Sequence, residues 1–289
     1  MKPIRKPFSF DPLFPFDFVY QGVRYTANEL PDHLHDMYEI VYVHSGKGTF
    51  FIDNALYEKS AGDLFLIPGN TVHRSFPSDS EPIVSTALFF APALVQRGSL
   101  GDGYEPLRCF DIARKTKQYK VERSEQTEHM ISTVLAGMAE ELQAGAIGYR
   151  HSVTMQLQLL LLELNRQPST RSTASAKAGI GPQWIHRALR TIDQDPVQCG
   201  GLRELSGNAC VSSAHFSRVF KQLTGMNVTD YVNAKRLIRA KELLLASDES
   251  IETVALACGF QGLPHFYQSF KKLTGMTPRS YRRQPLITN

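Results

Sequence analysis

The sequence predicts an α+β chain: an N-terminal β-barrel followed by helices, then an all-α C-terminal domain of two helix-turn-helix motifs joined by a long helix. Three observations predict it. Short apolar runs punctuated by turn residues fill the region up to residue 90. From Ser124 the hydrophobic period lengthens to that of a helix. The last third of the chain repeats itself at an offset of 50 residues. The 289 residues suffice for two domains, and 42% hydrophobic with 21% charged residues exclude a disordered, collagen-like or coiled-coil chain.

The barrel is read from Tyr38–Val43, Thr49–Ile52, Leu64–Ile67 and Ile83–Phe90, where β-branched and aromatic residues concentrate. Ser45-Gly46, Asp53-Asn54, Ala61-Gly62, Pro68-Gly69 and Pro77 separate them. Many short strands at such spacing predict a barrel or double-sheet jelly roll. Met130, Val134, Leu135 and Met138, then Leu157, Leu160, Leu161 and Leu164, recur at helical spacing, so two helices follow the sheet. Their apolar surface packs within the domain or between two copies of the chain. Residues 167–181, QPSTRSTASAKAGIG, read as a solvated linker between a domain at 1–166 and one at 182–289.

No apolar stretch approaches the roughly 20 residues of a membrane-spanning helix, and the first ten residues have no apolar run behind their basic start, so a cytoplasmic protein is expected. Cys109, Cys199, Cys210 and Cys258 stand far apart and read as reduced thiols. From Pro182 onward 14 Lys and Arg face 8 Asp and Glu, against 18 and 20 in the remainder. A basic C-terminal third on a slightly acidic body is the asymmetry of a chain that brings one module to a polyanion.

In the repeat, His215, Phe216, Phe220, Lys221, Leu223-Thr224-Gly225-Met226 and Tyr231 recur as His265, Phe266, Phe270, Lys271, Leu273-Thr274-Gly275-Met276 and Tyr281. Each copy reads as helix, turn, helix, at about 202–223 and 251–273. In the first, Leu202–Asn208 is a short helix and Ser212 caps the next, whose Phe216, Val219, Phe220 and Leu223 form the inward stripe. Ala214, Ser217, Arg218 and Lys221 then face outward, small, polar and basic, as a helix entering a major groove requires. In the second, Ser250 is the cap and Gly259 the stop; Phe266, Phe270 and Leu273 turn inward while Pro264, Tyr267, Gln268 and Lys271 turn out. Asp230–Ala246 is one connecting helix with Leu237, Ile238, Leu244 and Leu245 inward and Lys235, Arg236, Arg239 and Lys241 making it basic elsewhere.

Ser212–Lys221 (SSAHFSRVFK), LTGM, Lys235-Arg236-Leu237, Ile251–Phe260 (IETVALACGF), Phe270-Lys271-Lys272, Gly275-Met276-Thr277-Pro278 and Tyr281-Arg282 closely resemble the AraC/XylS family of bacterial transcription regulators, over residues 184–283. The resemblance implies promoter DNA as partner, contacted from Ser212, Ser213, Ala214, Ser217, Arg218 and Lys221 and from Leu263, Pro264, Tyr267, Gln268 and Lys271. Gln268 stands where the family often has Arg, which leaves the second helix contacting chiefly phosphate. It further implies a homodimer, contact with RNA polymerase and an activator's role.

In the barrel region His33, His35 and Glu39 follow H-x-H-x3-E-x6-G, ending at Gly46, and His73 follows Gly62 and Pro68. His33, His35, Glu39, Val41 and Val43 share one parity, so a regular strand points them to one side. Three imidazoles and a carboxylate can hold a divalent metal, contact a polar ligand or hydrogen-bond structurally. The pattern looks like the metal motif of the cupins, and AraC-type sensor domains resemble cupins. The reading adopted is a cupin-like barrel in which His33, His35, Glu39 and His73 contact a small polar effector, a carbohydrate by resemblance, with no metal and no cofactor. A metal-dependent cupin enzyme is the competing reading; a duplicated helix-turn-helix has no use in one, so no enzyme is expected.

Overall fold

The computed structural model describes residues 4–5, 11–25, 33–53, 55–78, 80–96, 100–121, 125–166 and 181–283. Its first half runs β1 (Ile4–Arg5), β2 (Phe16–Arg24), β3 (His33–Leu34), β4 (Tyr38–Ser45), β5 (Lys47–Ile52), β6 (Ala55–Ser60), β7 (Leu64–Ile67), β8 (His73–Pro77), β9 (Ile83–Phe90), α1 (Arg108–Thr116), β10 (Lys120–Val121), α2 (Glu125–Ala144) and α3 (Tyr149–Arg166). The strands form two five-stranded sheets, ordered β1-β3-β8-β5-β6 and β10-β7-β4-β9-β2, antiparallel except for β1 beside β3.

Strand β4 is central to the second sheet, pairing Glu39 with Ile67 on one side and with Phe89 on the other. Side chains alternate across it. Tyr42 reaches α2, donating to Glu128 Oε1 at 3.3 Å and accepting from Ser132 Oγ at 3.2 Å, while Glu39 and Val41 line the space between the sheets. Both faces are therefore covered, which is why β4, β7 and β9 read as nearly unbroken apolar runs. Gly46 turns the chain from β4 into β5 at φ +86°, and a Cβ there would overlap the Pro82 carbonyl, so only glycine fits. Helices α2 and α3 pack onto this sheet through Ile131, Val134, Leu135, Met138, Val153, Leu157, Leu160, Leu161 and Leu164. Met155 and Leu159 of α3 remain exposed.

The C-terminal part runs α4 (Gln183–Gln194), α5 (Gly201–Asn208), α6 (Ser213–Thr224), α7 (Val228–Ala246), α8 (Ile251–Ala257), α9 (Leu263–Thr274) and α10 (Pro278–Arg282). The two expected helix-turn-helix units are α5–α6 and α8–α9. Their shared core holds Phe216, Phe220, Phe266 and Phe270, all fully buried, with Val219 and Leu223 only half-buried. Helix α7 is covered nearly all round, burying Tyr231, Ala234, Leu237, Ala240 and Leu244. Leu245, expected inward, is exposed.

Two expectations are corrected here. Of the basic residues on α7, Lys235 and Lys241 do not face solvent but are buried against the barrel, because Leu34, Phe51 and Leu56 of the first sheet and Val72 beside it join the core of the C-terminal helices, while Arg239 is exposed. The Phe51 and Tyr231 rings lie 6.1 Å apart across that boundary. The five residues of common parity also do not share a strand. His33 belongs to β3 and Glu39 to β4, in different sheets, with the chain bending at residues 36–37 between them. The expected linker lies outside the described residues, apart from Gly181. Among the described residues no helix is long and apolar enough to cross a membrane, and all four cysteines are free.

Candidate functional site

The four barrel residues named from sequence converge between the sheets. Strand pairing sets His33 opposite His73 and His73 opposite Ile52. His35 follows β3, and Glu39 enters from β4. All four are buried. The Nδ1 of His35 lies 2.9 Å from the Met37 carbonyl and that of His73 lies 2.8 Å from the Thr71 carbonyl. A carbonyl only accepts, so both rings carry a proton on Nδ1. Both Nε2 atoms then face the same Glu39 Oε2, at 3.0 Å from His35 and 3.1 Å from His73. His73 Nε2 lies there without the alignment of a hydrogen bond. Burial alone would raise the Glu39 carboxyl, but the two imidazoles outweigh it and hold the group well below the usual carboxylate range. Burial lowers His35, against the pull of Glu39.

His33, Glu39 and His73 border a cavity between the sheets, open to solvent, whose other walls include Val41, Phe50, Phe89, Ser75, Ser85, Arg24 and Lys59. The Lys59 ammonium is buried, 4.4 Å above the Phe50 ring, and donates to Ser75 Oγ at 3.3 Å. Sequence reasoning did not find Lys59, Ser75 or Arg24. The one available signal was the alternation of β8, where His73, Ser75 and Pro77 are buried and Arg74 and Phe76 are not.

The second set of residues lies on the two helix-turn-helix units. Ser212 caps α6 by accepting from the His215 backbone N–H. Ser213, Ala214, Arg218 and Lys221 are exposed and Ser217 is half-buried, with an Arg218 nitrogen 3.0 Å from His215 Nδ1. Ser213 also reaches back 2.8 Å to Ser206 of α5, fixing the angle between the two helices. On α9 Pro264, Tyr267, Gln268 and Lys271 are exposed and Leu263 is half-buried; its N-cap, Gly262, offers no side chain. Small, polar and basic side chains on α6 permit close approach to a groove, whereas α9 presents a wider aromatic and amide surface.

Between pocket and helices lies a polar junction on α7. Lys235 is ion-paired with Asp53 and, at 2.7 Å, with Asp193; Lys117 reaches Asp53 at 2.7 Å and Asp193 at 2.9 Å. Tyr231 donates to the Asp53 carbonyl, and Tyr119 to its carboxylate at 3.0 Å. Burial opposes the Asp53 charge, but Lys235 and Lys117 hold its carboxyl far below the ordinary range. Lys241 meets Asp36 at 2.6 Å and also Asn70. The junction touches the pocket through the backbone: Asn70 donates to the His35 carbonyl at 2.6 Å, and Asp53 to the Val72 carbonyl at 2.7 Å.

A family model described as the AraC-like ligand binding domain matches residues 15–164, and one described as a helix-turn-helix domain matches residues 205–284. The chain is 28% identical over 261 residues to the transcriptional activator RhaS of Pectobacterium atrosepticum, covering 90% of each chain. It is 24% identical over 286 residues to the transcriptional activator RhaR of Cronobacter sakazakii, covering 93% of each. Among solved structures it is similar to the C-terminal domain of AraT, a response regulator from Geobacillus stearothermophilus, with 28% identity, a TM-score of 0.35, and coverage of 37% of this chain and 90% of that one.

Proposed function

This chain belongs to the AraC family of transcription regulators, carrying the family's ligand-binding domain ahead of its helix-turn-helix domain, and from that premise we propose that a carbohydrate bound in the barrel controls an activator that grips promoter DNA through α6 and α9. The observation that carries the reading is the backbone path from pocket to α7. His35 and His73 each sit within three residues of Asn70 or Asp36, which hold Lys241. A ligand that reorders these imidazoles changes what Lys241 rests on, and α7 joins both helix-turn-helix units. Binding then shifts the population between arrangements of different DNA affinity.

Imidazoles, a carboxylate, Ser75 and the Phe50 ring suit a compact ligand rich in hydroxyls, which needs donors, acceptors and an apolar face. The exposed Met155 and Leu159 of α3 supply a homodimer face, and RNA polymerase is the partner of the bound activator. A thermal-shift titration of the whole chain against sugars and sugar acids tests the pocket. A sugar at 100-fold its dissociation constant adds about 2.7 kcal/mol and raises the midpoint by several degrees. The same sugar should alter affinity for promoter DNA in an anisotropy assay. No shift with any carbohydrate would overturn the assignment of effector class.

A further inference from the structure

We propose that His33, His35, His73 and Glu39 hold a divalent transition-metal ion inside the barrel. The sequence-based assignment gave these residues to an effector without a metal; their geometry points further. The ligand nitrogens of the three imidazoles lie within 4.8 Å of one another, and all three rings are buried. With Nδ1–H of His35 bound to the Met37 carbonyl and that of His73 bound to the Thr71 carbonyl, each ring is held with its Nε2 toward Glu39. A carbonyl on the far nitrogen is the outer-shell arrangement that orients metal-ligating histidines.

Both Nε2 atoms meet one carboxylate oxygen, at 3.0 and 3.1 Å. His35 Nε2 hydrogen-bonds that oxygen, whereas His73 Nε2, buried beside it, has no aligned hydrogen-bond partner among the described residues. A cation at this convergence would take both Nε2 atoms and the carboxylate oxygen as ligands in place of protons. Two ligands at right angles, each about 2.1 Å from a shared ion, lie about 3.0 Å apart. A set of three imidazoles and one carboxylate suits zinc, iron, nickel or manganese better than calcium or magnesium. Such an ion keeps coordination positions beyond its four protein ligands, and these would receive hydroxyl oxygens of an effector. That last step alone rests on the effector reading above.

The test uses the full chain, its affinity tag removed, stripped with a chelator and titrated with Co2+ alone. About one ion per chain should survive gel filtration, with visible absorption bands of nitrogen-ligated Co2+. His73→Ala and Glu39→Gln should each lower the retained metal at least tenfold. Ions retained equally by both variants, or absent from the unsubstituted chain, would overturn the proposal. Should a variant fail to fold, the unsubstituted chain decides: chelation should lower its melting midpoint by several degrees, and about one equivalent of Zn2+ or Mn2+ should restore it. An unchanged midpoint overturns the proposal equally. No sugar or DNA enters these assays, so their failure leaves the effector reading standing, and a failed sugar titration leaves them untouched.

Discussion

The two helix-turn-helix units share a frame and differ on their surface. Phe216 and Phe266, Phe220 and Phe270 occupy matching buried positions. Thr224 donates to the Phe220 carbonyl at 2.7 Å and Thr274 to the Phe270 carbonyl at 2.8 Å, and each bonds the methionine two residues on. Gly225 and Gly275 close the helices at φ +78° and +79°, donating to the carbonyls of Lys221 and Lys271. On α6 and α9 the outward positions have moved except two, one of them His215, matched by His265. Ser212, Ser213, Ala214, Ser217 and Arg218 stand opposite Gly262, Leu263, Pro264, Tyr267 and Gln268, while Lys221 and Lys271 coincide. Burial fixes the frame because core volumes are coupled, whereas the outer face answers only to what it touches.

The largest effect tests the frame itself. Phe220→Ala and Phe270→Ala each remove a fully buried ring, and each should cost about 3–5 kcal/mol in urea unfolding. Phe220 packs 5.6 Å from Tyr231 and Phe270 packs 5.5 Å from Tyr281, so the two losses should agree to within about 1 kcal/mol. A much smaller loss at one site would break the equivalence and show that its helix docks more loosely.

The next effect concerns what the helices read. Arg218→Ala should weaken binding to promoter DNA by about 1–3 kcal/mol and reduce its preference over scrambled DNA, whereas Gln268→Ala should leave that preference nearly intact. Lys221→Ala and Lys271→Ala should weaken both DNAs alike, each reducing the salt slope by about 1. If Gln268→Ala relaxes specificity as much as Arg218→Ala does, α9 reads bases and the two surfaces are equal partners.

What could be read from the sequence follows the same division. The repeat was legible because the buried phenylalanines and the Leu-Thr-Gly-Met turn after each recognition helix are identical letter for letter. Strands β7 and β9 were legible to the residue, since interior strands covered on both faces are nearly unbroken apolar runs. Strand β2 was not assigned, for its alternation breaks at a bulge between Val19 and Gly22 where Gln21 adopts φ +47°. Strands β6 and β8 were missed because ALYEKS and HRSFP bury Lys59, His73 and Ser75 among ordinary polar residues. The H-x-H-x3-E spacing named residues that the fold does bring together, though by an argument from one strand that the fold does not use. The burial of Lys235 and Lys241 on α7 could not be seen at all: their partners Asp53 and Asp36 lie 182 and 205 residues away, and no local pattern encodes them.

The smallest effect separates frame from surface most finely, because it falls on the residue where the two meet. Ser212 accepts from the His215 backbone N–H, the third of α6; the equivalent donor on α9 is His265, and Gly262 cannot accept from it. Ser212→Ala should therefore cost about 1 kcal/mol of stability. The reciprocal change, Gly262→Ser, should gain a few tenths, since serine exceeds glycine only slightly as a cap. Gly262 has an extended backbone, φ −141° and ψ 127°, and a Cβ there meets nothing within 4 Å, so the serine enters without strain. Urea midpoints of the two variants decide the matter. If Gly262→Ser instead destabilises the fold, then Leu263 and Pro264 hold the start of α9 in a geometry no cap can join. The second unit would then have diverged in backbone as well as in surface.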